Sequence, residues 1–520
     1  MQTPFPAADR PSRNASIILL ASVFLVAGCG LVYELVAGAV ASYIMGDAVT
    51  QFSMVIGVFL CAMGLGAYLA KFFNGDLLRT FVEIEIWIGL VGGISSVAMF
   101  AVSALAAPIF PVFFFTLCIL IGVLIGIEIP LLIRILRARA PVSEALSHVL
   151  ALDYFGALAG AILFPLLVLP YLGLSRSSLV FGLMNLGVAA IGLKLVRGRR
   201  FGAGLRLAAV FVLLGATLVF SDRLVGFMED LLYQDSIIYA RSTPYQRIVL
   251  TRWRDDVRLY LNGNIQFSSI DEARYHESLV LPAMATCPRP ATVLILGGGD
   301  GMAAREVFKF ASVRRVVLVD LDPEMTRLGK ERAELVALNR GALRDQRLEV
   351  VNADAFKYVE GSREFFDVII IDLPDPNSEA LAKLYATAFY RLCARRLAES
   401  GVIVTQATSP FFAPEAFACI LRTMAAAVPP QAPAGALHPR PYHVNVPSFG
   451  EWGFVMAGRQ PIRPETLEVD VPARFLNTAT LQAMFVFSRD MPPDREVAIN
   501  RLDHPVLFEY YKRGWARFHE

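Results

Sequence analysis

Two hydrophobic periods divide the chain. From residue 16 to about residue 222 apolar positions run almost unbroken, in seven stretches near 17–41, 51–71, 82–105, 109–133, 147–170, 177–196 and 204–221. Each is about the ~20 residues a helix needs to cross a hydrocarbon core. Residues 1–222 therefore read as a multi-span α-helical membrane domain of about seven helices. Beyond them the period shortens. "YQRIVLTRW", "VRLYLNG" and "NIQFSS" read as short strands, with "LNGN" as a hairpin signal. Strand and helix patterns then alternate: "TVLILGGG", "GMAAREVFKFA", "RVVLVDLD", "PEMTRLGKERAELVAL", "LEVVNADA", "FDVIIIDLPD", "LYATAFYRLCARRL", "GVIVTQATS". That alternation predicts a parallel sheet with crossover helices. The expected order is a linker and small β-sheet subdomain over 223–290, an α/β Rossmann-like domain over 291–465, and a C-terminal extension over 466–520.

Composition sharpens this division. The 520 residues are 55% hydrophobic, and the excess lies in the first half. A net charge of +2 gives no basic surface for nucleic acid. The six cysteines are scattered with no Cys-x-x-Cys pair and read as reduced and structural. The histidines show no metal-ligand spacing. "LVAGC" ending at Cys29 imitates a lipoprotein cleavage box, but the apolar run continues past it without a polar tether.

Charge also gives the apolar half a direction. Arg10, Arg13, Lys71, Arg79, Arg134, Arg137 and Arg139, with five more Lys/Arg between Lys194 and Arg206, fall on one side of a seven-span arrangement; only Arg176 falls on the other. The N-terminus is expected inside. Acids within the apolar runs are costly. Glu83 and Glu85 read as interfacial and Asp153 as paired inside the bundle, leaving Glu34 and Glu128 as the better functional candidates.

The acids of the second half fall at predicted strand ends. Asp300 sits in the turn after the first strand of the alternating region, Asp320 and Asp322 end the second, Asp354 the third and Asp372 the fourth, with Asp375 three residues on. Ligands of parallel sheets bind at those ends. A single such acid reads as a helix cap; capping is a poor account of acids at every end. Asp320 follows Asp300 at the spacing that suits ribose hydroxyls. Met302 replaces the last glycine of the dinucleotide fingerprint. Gly297-x-Gly299-x-Gly301 is what remains, as in folds that hold an adenosyl group without a pyrophosphate. Asp354 is placed to reach an adenine amino group. Asp300, Asp372 and Asp375 are left over. A phosphate would be repelled there. Clustered acids attract cations: a divalent metal, which finds no phosphates to share, or better an organic polycation, since each ammonium offers three donors.

"GGGDG", "YHE", "YQ" and the D-x-x-D-P of "IDLPDP", in order over roughly residues 240–460, resemble the spermidine synthase (polyamine aminopropyltransferase) family. The attached multi-span domain resembles its membrane-bound bacterial branch. The resemblance implies a methyltransferase-type Rossmann-like domain and an EC 2.5.1-type transferase. It would move the aminopropyl group of decarboxylated S-adenosylmethionine, a co-substrate, to a diamine such as putrescine, giving spermidine and methylthioadenosine, with no metal and no prosthetic group. It implies that Gln246 and Asp320 contact the nucleoside, with Asp354 and Ala355 around the adenine and Gly297, Gly299 and Gly301 in the cofactor turn. His276 and Asp300 would contact an amine, Asp375 would help hold it, and Asp372 would be the general base. Gln266, Tyr275 and Glu277 match as second contacts, and "VPSFGEWGF" makes Trp452 and Phe454 pocket walls. The chain departs from the pattern at Leu373-Pro374, where Ser or Thr usually stands, at "NSEA" (377–380) and at "QATS" (406–409), which bears on the acceptor amine and the adenine-side loop.

Two alternatives stay open: an S-adenosylmethionine methyltransferase on the same fold, and a transporter or sensor that binds polyamine without turnover. The expected partners are a polyamine and a lipid bilayer, with no nucleic acid; a homodimer is compatible. The expected location is the bacterial inner membrane, multi-pass. The catalytic domain is expected on the cytoplasmic side, because the donor is made there and the thiols show no sign of an oxidising compartment. That placement needs the seventh apolar segment to lie in the interface or re-enter. The tail "YYKRGWARFHE" reads as an amphipathic terminal helix or a membrane-surface segment.

Overall fold

The computed structural model describes residues 13–45, 48–137, 141–196, 200–221, 224, 235–428 and 436–518. The chain forms two compact units, Met1–Gln234 and Asp235–Glu520.

Among its described residues the first unit is helical: α1 (Arg13–Met45), α2 (Ala48–Leu69), α3 (Leu77–Leu105), α4 (Phe110–Leu136), α5 (Val142–Leu163), α6 (Leu169–Leu195) and α7 (Phe201–Val219). Among the described residues six helices are long and apolar enough to cross a membrane, and the fifth, Val142–Leu195, has 54 residues. At about 1.5 Å per residue that is roughly 80 Å, far beyond a hydrocarbon core of ~30 Å. It is two legs, α5 and α6, reversing near Gly173, whose φ of 69° no helix contains. α5 runs alongside α1: Gly156 lies against Phe24 and Gly160 against Gly28, close enough that a Cβ on either would overlap backbone. α6 runs back. Phe181 packs on the cluster around Val36 and Val40, Asn185 meets Tyr33, and Val188 joins Val23 and Val26. α1 continues through Cys29, which is buried.

The seventh segment does not lie flat. α7 runs from Arg206, paired with Glu83 at the start of α3, past Gly93, which touches Leu214, to Ser221, whose hydroxyl accepts from Arg176 at the start of α6. It is a full leg parallel to α1 and α3, so Arg13 and Ser221 stand at opposite ends of the unit. Glu83 is interfacial as expected, but Glu85 is not. Glu128 is buried, and Glu85 is fully buried as well and accepts from Asn185 Nδ2 at 3.0 Å. Two residues separate it from an exposed ion pair, and a periodicity reading cannot resolve that step. Glu34 is partly exposed.

In the second unit, β1 (Ser236–Ser242), β2 (Arg247–Trp253), β3 (Asp256–Leu261) and β4 (Asn264–Ser268) form an antiparallel sheet in sequence order. β1 occupies part of the stretch expected as linker; residues 225–234 lie outside the described residues. Strands β5 (Thr292–Gly297), β6 (Arg315–Asp320), β7 (Leu348–Asn352), β8 (Phe366–Asp372), β9 (Leu397–Gln406), β10 (His438–Val446) and β11 (Gly450–Gly458) form a seven-stranded sheet ordered β10-β11-β9-β8-β5-β6-β7. β5 to β9 are mutually parallel, and β10–β11 adds an antiparallel hairpin. Apolar clusters cover both sheet faces, the hallmark of an α/β layer. The strand order reverses beside β5, where β6 lies on one side and β8 on the other, opening a crevice at their C-terminal ends.

Candidate active site

The turn after β5 is built by close approach. Gly297, Gly298 and Gly301 have φ of 87°, 64° and 83°. A Cβ on Gly297 would overlap the Asp372 carbonyl, and one on Gly299 would press on the Asp320 carboxylate. Gly299 N donates to Asp320 Oδ2 at 3.0 Å and Asp322 N to Oδ1 at 2.8 Å. Burial pushes the Asp320 carboxyl up to about 6 against those two donors. Gly301 does not line the cavity; it starts the following helix and packs on Leu343.

A cavity of about 430 Å³ opens along these strand ends. It brings together Gln246, Gln266, Tyr275, His276, Gly297, Gly299, Asp300, Asp320, Asp354, Ala355, Asp372, Asp375 and Trp452. Two other expected residues stand elsewhere. Glu277 points away, accepting from the backbone N–H groups of Arg474, Phe475 and Leu476. Phe454 lies behind Tyr275, ring centroids 5.5 Å apart.

Capping explains more of the acids than the sequence reading allowed. Asp322 Oδ1 caps the helix Pro323–Glu331 through Glu324 N, while Oδ2 accepts from Gln246 Nε2 at 3.0 Å and Thr243 Oγ1 at 2.8 Å. Asp354 caps Ala355–Gly361, and its second oxygen accepts from Lys383 Nζ at 3.1 Å. Burial raises the Asp354 carboxyl, yet Lys383 and the cap donors hold it below the usual range. Asp300 Oδ1 accepts from Met302 N at 2.8 Å within its own turn. These carboxylates hold local structure and also border the cavity.

Asp372 and Asp375 carry no cap. Asp372 Oδ1 accepts from Tyr275 Oη at 2.9 Å. Burial pushes its carboxyl up to about 6, with Asp300 adding to the rise and His276 opposing it. Asp375 is also pushed by burial to about 6, moderated by Tyr511 Oη at 3.0 Å and Gln406 Nε2 at 3.1 Å. Gln406 is itself fixed: Thr408, at a φ of 54°, donates its N–H to Gln406 Oε1 at 2.9 Å.

His276 is the cation among these acids. Burial opposes its charge, but the hydrogen bond to Glu272 and the fields of Asp300 and Asp372 carry it to about 9. Nδ1 lies 3.1 Å from Glu272 Oε2 and 2.9 Å from Glu272 O. Glu272 is pinned in turn by Arg305 at 2.7 Å and Arg474 at 3.1 Å. Against the effect of burial, His276 and Arg305 draw its carboxyl down to about 2. Tyr511, Gln406, Glu272 and Arg305 were not singled out from sequence. Only Glu272, four residues before His276 on a helix pattern, left a readable signal.

No cluster of three or more metal-ligating side chains occurs among the described residues. A parallel sheet with a glycine turn at its reversal point and uncapped acids beside a cationic histidine defines an α/β transferase of nucleoside-binding type. The chain belongs to the polyamine aminopropyltransferase family. Residues 272–463 match the Spermine/spermidine synthase domain. The chain is 46% identical over 531 aligned residues to Polyamine aminopropyltransferase 1 of Ralstonia nicotianae, covering 99% of each. It is 45% identical over 504 residues to a polyamine aminopropyltransferase of Leptospira interrogans, covering 96% of this chain and 99% of that one. Among solved structures it is similar to a spermidine synthase in complex with the transition state analogue AdoDATO. That chain is 29% identical, with 49% of this chain and 86% of that one covered, at a TM-score of 0.44.

Proposed function

We propose that the second unit transfers the aminopropyl group of decarboxylated S-adenosylmethionine to a diamine such as putrescine, with Asp372 as general base. The observation that carries this reading is Asp372 itself: uncapped, held by Tyr275, and poised near 6 between His276 and Asp300. An alkyl ammonium, with a pKa near 10, cannot attack until it loses a proton. At pH 7 a carboxyl titrating near 6 is mostly ionised and accepts that proton. The freed nitrogen lone pair forms a C–N bond to the aminopropyl carbon. The C–S bond breaks, its electrons return to sulfur, and neutral methylthioadenosine leaves. The sulfonium is already a good leaving group, so the protein's share is in-line placement and deprotonation.

The remaining lining residues divide between the two substrates. Asp320, Gln246 and the glycine turn hold the ribose side, with Asp354 and Ala355 at the adenine. Asp300, Asp375, Gln266 and Trp452 surround the amines. His276 as a cation offsets the facing acids and keeps Asp372 ionised.

The helical unit belongs in a bilayer on this reading, with its Lys/Arg-rich end toward the cytoplasm. Because α7 is a full leg, Ser221 then lies at the opposite face from Arg13. This seven-leg reading and the cytoplasmic placement expected from sequence pull in opposite directions, and thiol labelling of the second unit decides between them.

The deciding assay incubates the purified full-length protein with decarboxylated S-adenosylmethionine and putrescine and follows methylthioadenosine. The expected result is turnover that falls about 10²–10⁴-fold in Asp372→Asn, with methylthioadenosine binding retained. Methyl transfer from S-adenosylmethionine, or no methylthioadenosine, refutes the reading.

A further inference from the structure

Asp375 is held by a side chain from outside the matched domain. The family match ends at residue 463, yet Tyr511 Oη donates to Asp375 Oδ2 at 3.0 Å. Tyr511 sits on the helix Val506–Ala516. Leu507 and Phe508 bury that helix in the core cluster of one sheet face, and Gly514 lies against Ala413. Asn500 fastens the preceding segment, donating to Ala382 O at 2.8 Å and accepting from Leu507 N. The tail, read from sequence as an amphipathic terminal helix or a membrane-surface segment, is a helix packed into the folded unit. Tyr511 does not line the cavity; it stands behind Asp375, which does.

We propose that Tyr511 is a positioning residue for the acceptor amine, acting through Asp375. This rests on the aminopropyl-transfer reading above. The carboxylate oxygens of Asp375 receive two neutral donors, Gln406 on Oδ1 and Tyr511 on Oδ2, and among the described residues no cation pairs with it. A buried carboxylate so held is ionised only as far as those donors allow. Both bonds fix the carboxyl plane and leave further lone pairs for an ammonium. Removing the tyrosine hydroxyl withdraws one of the two donors. Asp375 then takes up a proton at higher pH and offers the amine a neutral acid instead of an anion. Asp372, which abstracts the proton, is untouched. The expected signature is therefore a pH-dependent loss of amine affinity with little loss of turnover at saturation.

The test is Tyr511→Phe in the full-length protein, which keeps the ring and deletes the hydroxyl. Putrescine affinity is read from indole fluorescence, with Trp452 at the cavity wall, and KM and kcat are read from methylthioadenosine release, all across pH. The acid limb of amine affinity is expected to move up by about one pH unit, the order of a hydrogen bond to a charged group. Affinity and KM would then differ from wild type by about tenfold below the limb and converge above it, with kcat nearly unchanged. Leu507→Ala, which loosens the helix without touching the hydroxyl, should lower the melting temperature and leave the limb in place. An unmoved limb in Tyr511→Phe, or an affinity loss equal at every pH, overturns the proposal. If wild type releases no methylthioadenosine, the transfer reading fails by itself, while the putrescine titration still reports on Tyr511.

Discussion

Replacing Glu272 by glutamine tests the electrostatic frame behind His276. Glu272 is 1% exposed and meets three cationic groups: Arg305 at 2.7 and 3.1 Å, Arg474 at 3.1 Å and His276 at 3.1 Å. An amide keeps the shape but removes the charge and turns one acceptor into a donor facing cations. Breaking a buried pair by removing one partner costs about 3–5 kcal/mol. Arg305 keeps Glu306 Oε1 at 2.8 Å and the Leu338 carbonyl at 2.7 Å, and Arg474 is half exposed, so the lower end, about 3 kcal/mol, applies. At roughly 2–4 °C per kcal/mol for a domain of this order of size, the melting temperature should fall by about 6–12 °C. The pH dependence should change as well. His276 titrates near 9 in the folded state, above its ordinary 6.5. Its contribution to stability is therefore full below about 6.5 and is lost as pH rises through about 9. Glu272→Gln removes the largest cause of that rise, so the alkaline limb of both stability and turnover should move to lower pH. Calorimetry and methylthioadenosine release across pH would measure the two effects. An unchanged melting temperature together with an unmoved alkaline limb would refute the account of His276 as a cation held by Glu272.

Three further outcomes follow from the same geometry. Asp300→Asn should weaken amine-bearing ligands by about tenfold or more while sparing methylthioadenosine. It should also move the Asp372 acid limb below about 6, since Asp300 adds to that rise; equal losses for all ligands would mean Asp300 only shapes its turn. Gly297→Ala, at a φ of 87° and with its Cβ on the Asp372 carbonyl, should destabilise the catalytic unit by more than about 1 kcal/mol, read from denaturant midpoints. A cysteine placed near Arg254 should react with a membrane-impermeant thiol reagent in intact cells; protection until lysis would mean that the seventh leg does not set the sidedness.

What the sequence revealed was what local periodicity and spacing encode. The β5–β9 strands, the glycine turn and the strand-end acids were legible because each is written within a few residues. The hairpin β10–β11 was not, since Pro439 and Pro441 break the strand signal and its pairing partner is β9. The helix pattern over 323–338 was read as one element, but Arg332, at ψ of 121°, splits it. Asp354 hid its second role because its ion-pair partner, Lys383, is 29 residues away. Glu85 was misplaced because only the packing of α3 on α6 tells a buried turn from an interfacial one. Site contacts made across long sequence separations leave no local trace, as with Tyr511 on Asp375 and Arg474 on Glu272.

Tyr511 and Asp375 are 136 residues apart. At translation rates of about 5–20 residues per second, roughly 7–27 s pass between the emergence of the acid and that of its hydroxyl partner. Gln406 emerges 31 residues after Asp375, so for the rest of that interval the nascent chain has its helical unit and glycine turn, while Asp375, the proposed holder of the acceptor amine, still lacks Tyr511. On the proposed reading, synthesis order makes amine capture a late competence, and a ribosome-bound chain would handle its nucleoside before it could hold a polyamine.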